Sequence, residues 1–351
     1  MSPRLRIPNR IPHEILADGP KVVEFEETAA EFLEAKYAIA TNSGTMALFL
    51  VFRVLEQAGK NIIMPAFTWR STAEAAIMAG AKPVFADIDR DDLCLDYKKV
   101  RELADIEAEI ICVNDCFGCP ADYKNLNNFG LTVVSDSASA FGAFYNRRVI
   151  GARGIHCFSL SPTKNLTANE GGLITCNDES VANKLRVLRR WAGRMTEFNA
   201  ACALEGLKYL PETLAKKAEI ARGYYRFARK IPYWQVQWGI YGAGHVGGRA
   251  STWKDTIVVL PSKQERDGLR RHLEAAGIET RVYFTPAQRF LKEGQYYAGD
   301  LTVTEDIFLR SLCLPCWVGV DQEYVIQVMQ EFCKLSKNPP RRAKKSLQLH
   351  G

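Results

Sequence analysis

The stretch Phe158-Ser-Leu-Ser-Pro-Thr-Lys-Asn-Leu-Thr-Ala-Asn-Glu-Gly-Gly-Leu173 places one lysine, Lys164, in a run with almost no neighbouring charge. Small hydroxyl residues surround it (Ser159, Ser161, Thr163, Thr167), and Gly171-Gly172 follows. Burial among small and apolar groups disfavours an ammonium, so such a lysine tends to lose its proton. A neutral lysine amine is the nucleophile that Schiff-base chemistry needs. Taken alone, a lysine in a turn is ordinary surface decoration. What it does here depends on what the rest of the chain supplies.

The chain has 351 residues, 47% hydrophobic and 25% charged, the balance of a soluble globular protein with room for a large core and two domains. A net charge of +6 is mildly basic, and much of the excess sits in Arg341, Arg342, Lys344 and Lys345 after Pro339-Pro340. That composition reads as a solvated, disordered tail over 337–351 rather than a nucleic-acid arm. No run of 18 apolar residues is present, so no membrane span is expected. The start, Met1-Ser-Pro-Arg-Leu-Arg6, lacks the apolar core of a signal peptide. The ten cysteines then read as reduced thiols in the cytoplasm.

Residues 1–20, rich in Pro, Arg and Gly, read as an irregular arm. From there short apolar runs alternate with helical spacing. Strands are expected at 37–40, 61–64, 83–88, 110–114, 131–135 and 173–176. Helices are expected at 22–36, 46–56, 72–79, 93–105, 179–191 and 196–229, the last interrupted by Pro211. This alternation predicts an α/β fold with a mostly parallel central sheet covered by helices on both faces. After residue 230 the pattern changes: strands at 256–260 and 278–284 and helices at 263–276 and 322–335 predict a smaller α+β domain. The expected organisation is thus a large domain over 21–230 and a small one over 231–336.

Ligands of parallel α/β sheets bind beyond the carboxyl ends of the strands. Asp136 follows one such strand and Trp69 lies just past another. Thr41-Asn-Ser-Gly-Thr45 links a strand to a helix, an arrangement that leaves backbone N–H groups and a positive dipole end free for a phosphate. Singly, each is ordinary: an N-cap, a turn acid, a core aromatic. Together, Lys164, Asp136, Trp69 and the donors Gly44, Thr45 and Ser159 make the set that pyridoxal phosphate requires. It needs a Schiff-base lysine, a carboxylate for the pyridinium nitrogen, a stacking ring and a phosphate cup.

In this order these pieces resemble the DegT/DnrJ/StrS family of sugar aminotransferases, which are fold-type I pyridoxal-phosphate enzymes. The resemblance runs over about 19–332. It is carried by Thr41-Asn-Ser-Gly-Thr-Met-Ala-Leu48, Pro65-Ala-Phe-Thr-Trp-Arg-Ser-Thr72, Gly80-Ala-Lys-Pro-Val-Phe-Ala-Asp-Ile-Asp89, Phe117-Gly-Cys-Pro120 and Ser135-Asp-Ser-Ala-Ser-Ala140. Ser159-Leu-Ser-Pro-Thr-Lys-Asn165, Glu170-Gly-Gly172, Gly193-Arg-Met-Thr-Glu197 and Ser311-Leu-Cys-Leu-Pro315 complete it. The resemblance implies that Lys164 forms the Schiff base and moves protons, Asp136 pairs with the pyridine nitrogen, and Trp69 stacks on the ring. It implies phosphate contacts from Gly44, Thr45 and Ser159, a cofactor contact from Ser139, and a homodimer with shared sites. The implied reaction takes an amino group from glutamate or glutamine, through pyridoxamine phosphate, to a keto sugar that is usually nucleotide-linked. Arg194 and Tyr283 are candidate substrate contacts. A lysine at 164, rather than histidine, argues against the branch that performs deoxygenation.

Three positions depart from the family pattern. Ser139 stands where glutamine is common, Ser161 where histidine is, and Ala192 where an asparagine reaches a partner's phosphate. Arg194, or Arg189 and Arg190, could compensate for the last. The shortened Trp191-Ala-Gly-Arg194 connection also suits a smaller acceptor, a keto-cyclitol or free sugar. Other reactions from the same starting cofactor, a dehydration or elimination, remain alternatives, as does a cofactor-binding homologue without turnover. Gly242-Ala-Gly-His-Val-Gly247 matches a dinucleotide fingerprint without the strand and helix around it, and reads as a loop. Cys116-Phe-Gly-Cys119 and Cys313-Leu-Pro-Cys316 read as packed thiols, and five scattered histidines (His13, His156, His245, His272, His350) give no metal set.

Overall fold

The structure is a computed structural model and describes residues 18–237 and 248–335. The 337–351 tail, residues 1–17 of the arm, the 242–247 glycine motif and His13, His245 and His350 lie outside the described residues. The first half of the chain runs α1 (Pro20–Phe32), β1 (Tyr37–Thr41), α2 (Gly44–Val54), β2 (Asn61–Pro65), α3 (Arg70–Met78), β3 (Lys82–Ala86), α4 (Tyr97–Arg101), β4 (Ala108–Asn114), α5 (Tyr123–Leu126) and β5 (Thr132–Asp136). It continues through β6 (Phe144–Tyr145), β7 (Arg148–Val149), β8 (Ile155–Ser159), β9 (Gly172–Cys176), α6 (Glu179–Ala192) and α7 (Glu197–Ala228). The remainder holds β10 (Gln235–Val236), β11 (Arg249–Ala250), β12 (Thr256–Val259), α8 (Lys263–Ala275), β13 (Tyr297–Ala298), α9 (Thr302–Arg310), β14 (Ser311–Leu314) and α10 (Gln322–Leu335).

An eight-stranded sheet in the order β1-β9-β8-β5-β4-β2-β3-β13 forms the centre. Neighbours from β8 to β13 pair parallel, while β9 runs antiparallel to both β1 and β8. The strands are apolar on both faces because both faces are covered. Ile62, Met64, Ile110 and Cys112 pack in one core. Their neighbours Ile63, Ile111 and Val113 pack in the other, as the two-residue period of a strand demands. A separate antiparallel sheet, β10-β12-β14, has its own core, where Val258, Leu312, Leu269 and Met329 meet Tyr224 and Phe227 from the end of α7. No helix of the described residues is long and apolar enough to cross a membrane.

Three expectations differ from the structure. The helix over 93–105 shrinks to Tyr97–Arg101. Leu93 and Leu95 are buried in the core, Leu95 bridges Ile88, and Asp96 caps the helix by accepting from Lys98 N at 2.8 Å. Apolar anchoring therefore wins over helix propensity there. The strand over 278–284 is reduced to a single bridge, Arg281 to Cys313, and the segment instead borders a cavity. Pro211 does not interrupt α7, which runs unbroken from Glu197 to Ala228. Burial of Ala203, Leu207 and Leu210 before the proline and of Tyr224 and Phe227 after it offsets the missing N–H bond. Pro211 is exposed, so Pro211→Ala should restore a helix bond without disturbing packing. The expected result is a gain of about 1–3 kcal/mol in urea unfolding.

Candidate active site

The register of the parallel strands brings the site together. Asn114 at the end of β4 pairs with Asp136 at the end of β5, which in turn pairs with Cys157 of β8. Ser159 closes β8 opposite Gly172. The carboxyl ends of these strands open into a cavity of about 430 Å³. Gly44, Thr45, Trp69, Asp136, Ser139, Ser159, Lys164 and Tyr283 all line it.

Asp136 is buried and held from two sides. Thr72 Oγ1 donates to Oδ2 at 2.5 Å, and the Ala138 N–H donates to Oδ1 at 3.2 Å. Thr68 Oγ1 lies 3.2 Å from Thr72 Oγ1, and Asn114 Nδ2 donates to Thr68 Oγ1 at 3.2 Å. Burial pushes the Asp136 carboxyl above its ordinary value; the Thr72 bond, the Ala138 N–H and the charge of Lys164 hold it down.

Lys164 sits in the loop between β8 and β9. The loop is closed at its base by Leu160 N to Gly171 O (2.9 Å) and Ala168 N to Leu160 O (2.8 Å). Desolvation, and then the charge of Lys254, pull the Lys164 amine down to about 8, while Asp136 and Asp255 act against them. The apolar setting read from the sequence thus brings the neutral amine within reach near physiological pH.

The cup beside it is made by contact. Ser43 caps α2, accepting from Met46 N at 3.1 Å. A Cβ on Gly44 would lie 2.8 Å from Ser159 Cβ, and one on Gly172 would lie 2.4 Å from the Ser43 carbonyl oxygen. Only glycine permits this approach, which sets the first-turn N–H groups of Gly44 and Thr45 beside the Ser159 hydroxyl. Trp69, 56% exposed, stands at the mouth with its ring edge-to-face against Tyr283 (6.3 Å) and Phe284 (6.5 Å). Ser139 presents its side chain to the cavity while its carbonyl accepts from Thr252 Oγ1 at 2.6 Å.

Arg194 is exposed and is not among the cavity's lining residues. Arg189 is committed elsewhere: it is buried, pairs with Glu26 and with Asp18 at 3.4 Å, and ties α6 to α1. The compensation considered for Ala192 is therefore not available from Arg189. Sequence reasoning missed Thr68, Thr72, Asn114, Lys254 and the cavity-facing Asp255. Asn114 carried a signal, as the last residue of a parallel strand; the threonines lie in the Pro65–Thr72 stretch that carries the resemblance, which gave them no role.

Beneath Asp136 lies a buried polar row. Asp115 accepts from Ala121 N (2.9 Å) and the Tyr123 hydroxyl (2.7 Å) at one oxygen, and its other oxygen is 2.6 Å from Ser137 Oγ. Ser137 Oγ is 2.9 Å from His156 Nδ1, and His156 Nε2 is 2.8 Å from the Arg153 carbonyl. A carbonyl only accepts, so Nε2 carries a hydrogen. The Ser137 hydroxyl has one hydrogen and donates it to Asp115 Oδ2. Burial pushes Asp115 up to about 6, with the Ser137, Tyr123 and Ala121 donors acting against it, and pushes His156 down to about 4.

The cysteine pairs are free, buried thiols. Among the described residues no three His, Cys, Asp or Glu side chains group to hold a metal ion.

Residues 7–333 match the model of the DegT/DnrJ/EryC1/StrS aminotransferase family. The chain belongs to this family. Family members are pyridoxal-phosphate-dependent aminotransferases, known in pyridoxal- and pyridoxamine-phosphate forms. The chain is 30% identical over 355 positions to the spore coat polysaccharide biosynthesis protein SpsC of Bacillus subtilis strain 168, covering 90% of this chain and 89% of SpsC. The structure of DesV from S. venezuelae with a ketimine intermediate superposes with a TM-score of 0.83 at 26% identity, over 92% of this chain and 91% of that one. DesI, solved in the presence of its TDP-sugar product, gives 0.82 at 26%, over 92% and 86%. The fold is thus the fold-type I aminotransferase fold. The cavity fits the family's cofactor: it has a glycine-made anion cup, a buried carboxylate held by hydroxyls, and a lysine of lowered basicity.

Thr72→Val should raise the Asp136 pKa further, read by carboxyl ¹³C NMR against pH. Asp115 has a native pKa above its unfolded value, so its contribution to stability is present at low pH and is lost as pH rises through about 6. Relative to Asp115→Asn, the wild type should lose up to roughly 3 kcal/mol between about pH 4 and 7 in urea unfolding.

Proposed function

We propose that this protein transfers an amino group from glutamate or glutamine to a keto sugar, with a nucleotide-linked sugar as acceptor, in amino-sugar or surface-polysaccharide synthesis. The observation that carries the reading is the convergence of Lys164, Asp136 and the Gly44–Thr45–Ser159 cup on one cavity. The TDP-sugar product of DesI and the polysaccharide role of SpsC support the acceptor class. Pyridoxal phosphate, when bound, supplies a carbonyl that takes up the amine and a ring that accepts an electron pair.

The chain's own residues do the rest. Gly44, Thr45 and Ser159 would hold the phosphate with N–H and hydroxyl donors. Asp136, the carboxylate at the cavity floor, would hold a proton on the ring nitrogen, with Thr72 keeping that carboxylate oriented. Trp69 and Ser139 would contact the ring. Lys164 Nζ is the nucleophile, and then takes and returns the proton at the reacting carbon. Tyr283 and Phe284 close the mouth against water, with Tyr283 placed to touch substrate.

We place the protein in a homodimer with shared sites. Arg194 lies outside its own cavity, on a connection where Trp191 (87% exposed), Phe198 (67%) and Val187 (61%) leave an apolar patch. The separate core around Val258 and Leu312 supports a division of the chain near residue 230.

Purified wild type should show the visible absorbance of lysine-bound cofactor, bleached on adding glutamate or glutamine. Lys164→Ala should lose that band and lower turnover by a factor on the order of 10² to 10⁴. A wild-type spectrum that no amino donor changes would count against the aminotransferase reading.

A further inference from the structure

A second chamber of about 450 Å³ shares the wall formed by Pro162, Thr163, Lys164, Lys254, Asp255 and Arg281 with the cavity above. Four cations line it (Lys164, Lys217, Lys254, Arg281) against two carboxylates, Asp255 and Glu279. Lys217 and Lys254 are 7% and 8% exposed. Lys254 Nζ pairs with Asp255 at 2.7 Å. Lys217 Nζ donates to Asn165 Oδ1 at 2.6 Å and to the Lys254 carbonyl at 3.2 Å, both neutral oxygens. Among the described residues no carboxylate bonds to it. An ammonium carries three donors, so one N–H of a buried cation is left for another partner. Arg281 donates from Nε and Nη2 to Glu279, a solvent-exposed carboxylate, and from Nη1 to the Tyr283 hydroxyl, which leaves two of its five N–H donors.

A buried ammonium without an anionic partner is costly, and burial pulls the Lys217 pKa down accordingly. Asp255, half-buried, is the less exposed of the two acids at this chamber, and it already serves Lys254. An incoming anion removes the imbalance. Lys217 reaches the chamber from α7, and its contact with Asn165 places it one residue from Lys164.

From this juxtaposition we infer that the chamber is an oxyanion subsite, built on Lys217 with Lys254 and Arg281. It takes the carboxylate of the amino donor or the phosphate of a nucleotide-linked acceptor while the reacting end of that molecule lies at Lys164. The inference rests on the aminotransferase reading above and names how that site grips its substrates. Trp317, 57% exposed on the same chamber, offers a flat face beside the phosphate position.

The test uses holoenzyme and the variants Lys217→Gln and Lys217→Arg. Binding of two probes, glutarate and inorganic pyrophosphate, is measured by calorimetry, alongside the cofactor spectrum and the KM for donor and acceptor separately. Lys217→Gln should bind at least one probe tenfold or more weakly, raise the matching KM by a similar factor, and keep the wild-type cofactor spectrum. Lys217→Arg should restore most of the affinity. Loss confined to glutarate and the donor KM assigns the subsite to the donor carboxylate; loss confined to pyrophosphate and the acceptor KM assigns it to phosphate. The inference is overturned if neither probe binds wild type, or if Lys217→Gln binds both as tightly as wild type. It is equally overturned if the substitution changes only kcat and the spectrum, the mark of a lysine that merely supports Asn165. Failure of the aminotransferase reading looks different: it shows as wild-type protein without the cofactor band, whatever the probes do.

Discussion

The close contact between the first turn of α2 and the end of β8 is the constraint on which the site depends. A Cβ at Gly44 would lie 2.8 Å from Ser159 Cβ, so the helix sits this near the strand only because no side chain intervenes. That approach sets the first-turn N–H groups of α2 beside the Ser159 hydroxyl, and the same strand end launches the loop that carries Lys164. Gly172 repeats the device from the other side, where the Ser43 carbonyl leaves no room for a methyl group. Helix terminus, strand end and lysine loop are thus one packed unit, and a disturbance at any of the three is felt by the other two.

Much of this was legible in the sequence. Alternating apolar runs place the parallel strands, and the rim rule for such sheets picks out Asp136 and Trp69. What the sequence did not show follows from long-range contact. Thr72 matters because α3 starts where it can reach the end of β5, a fact of packing between segments far apart in the chain. Lys254 and Asp255 approach Lys164 from beyond residue 250, where no local pattern marks them. Leu93–Leu95 and 278–284 were misread for a common reason: apolar residues anchored one at a time to a core have no period to detect. Arg189 looked available because its surroundings in sequence are basic, whereas Glu26 and Asp18 arrive from α1 and from the residues just before it.

The electrostatics of the cavity are graded rather than uniform. Lys164 loses basicity to desolvation and to Lys254, while burial raises Asp136 and the Thr72 hydroxyl restrains it. Below Asp136, Asp115 takes donors from Ser137, Tyr123 and Ala121, while burial keeps His156 neutral. The charge imbalance is concentrated instead on the Lys217 side. On the reading proposed above, the two chambers divide the work: one for the cofactor ring and its nitrogen, the other for a substrate oxyanion.

Helix α7 contributes Ala203 and Leu207 to the core of the large sheet and Tyr224 and Phe227 to that of the small one. It is a beam common to two bodies, and Lys217 rides on the stretch between them. Pro211 removes one rung from the beam before that stretch. Because both cores fix this one helix, a change in the packing of either is felt at the Lys217 ammonium and, through Asn165, beside Lys164.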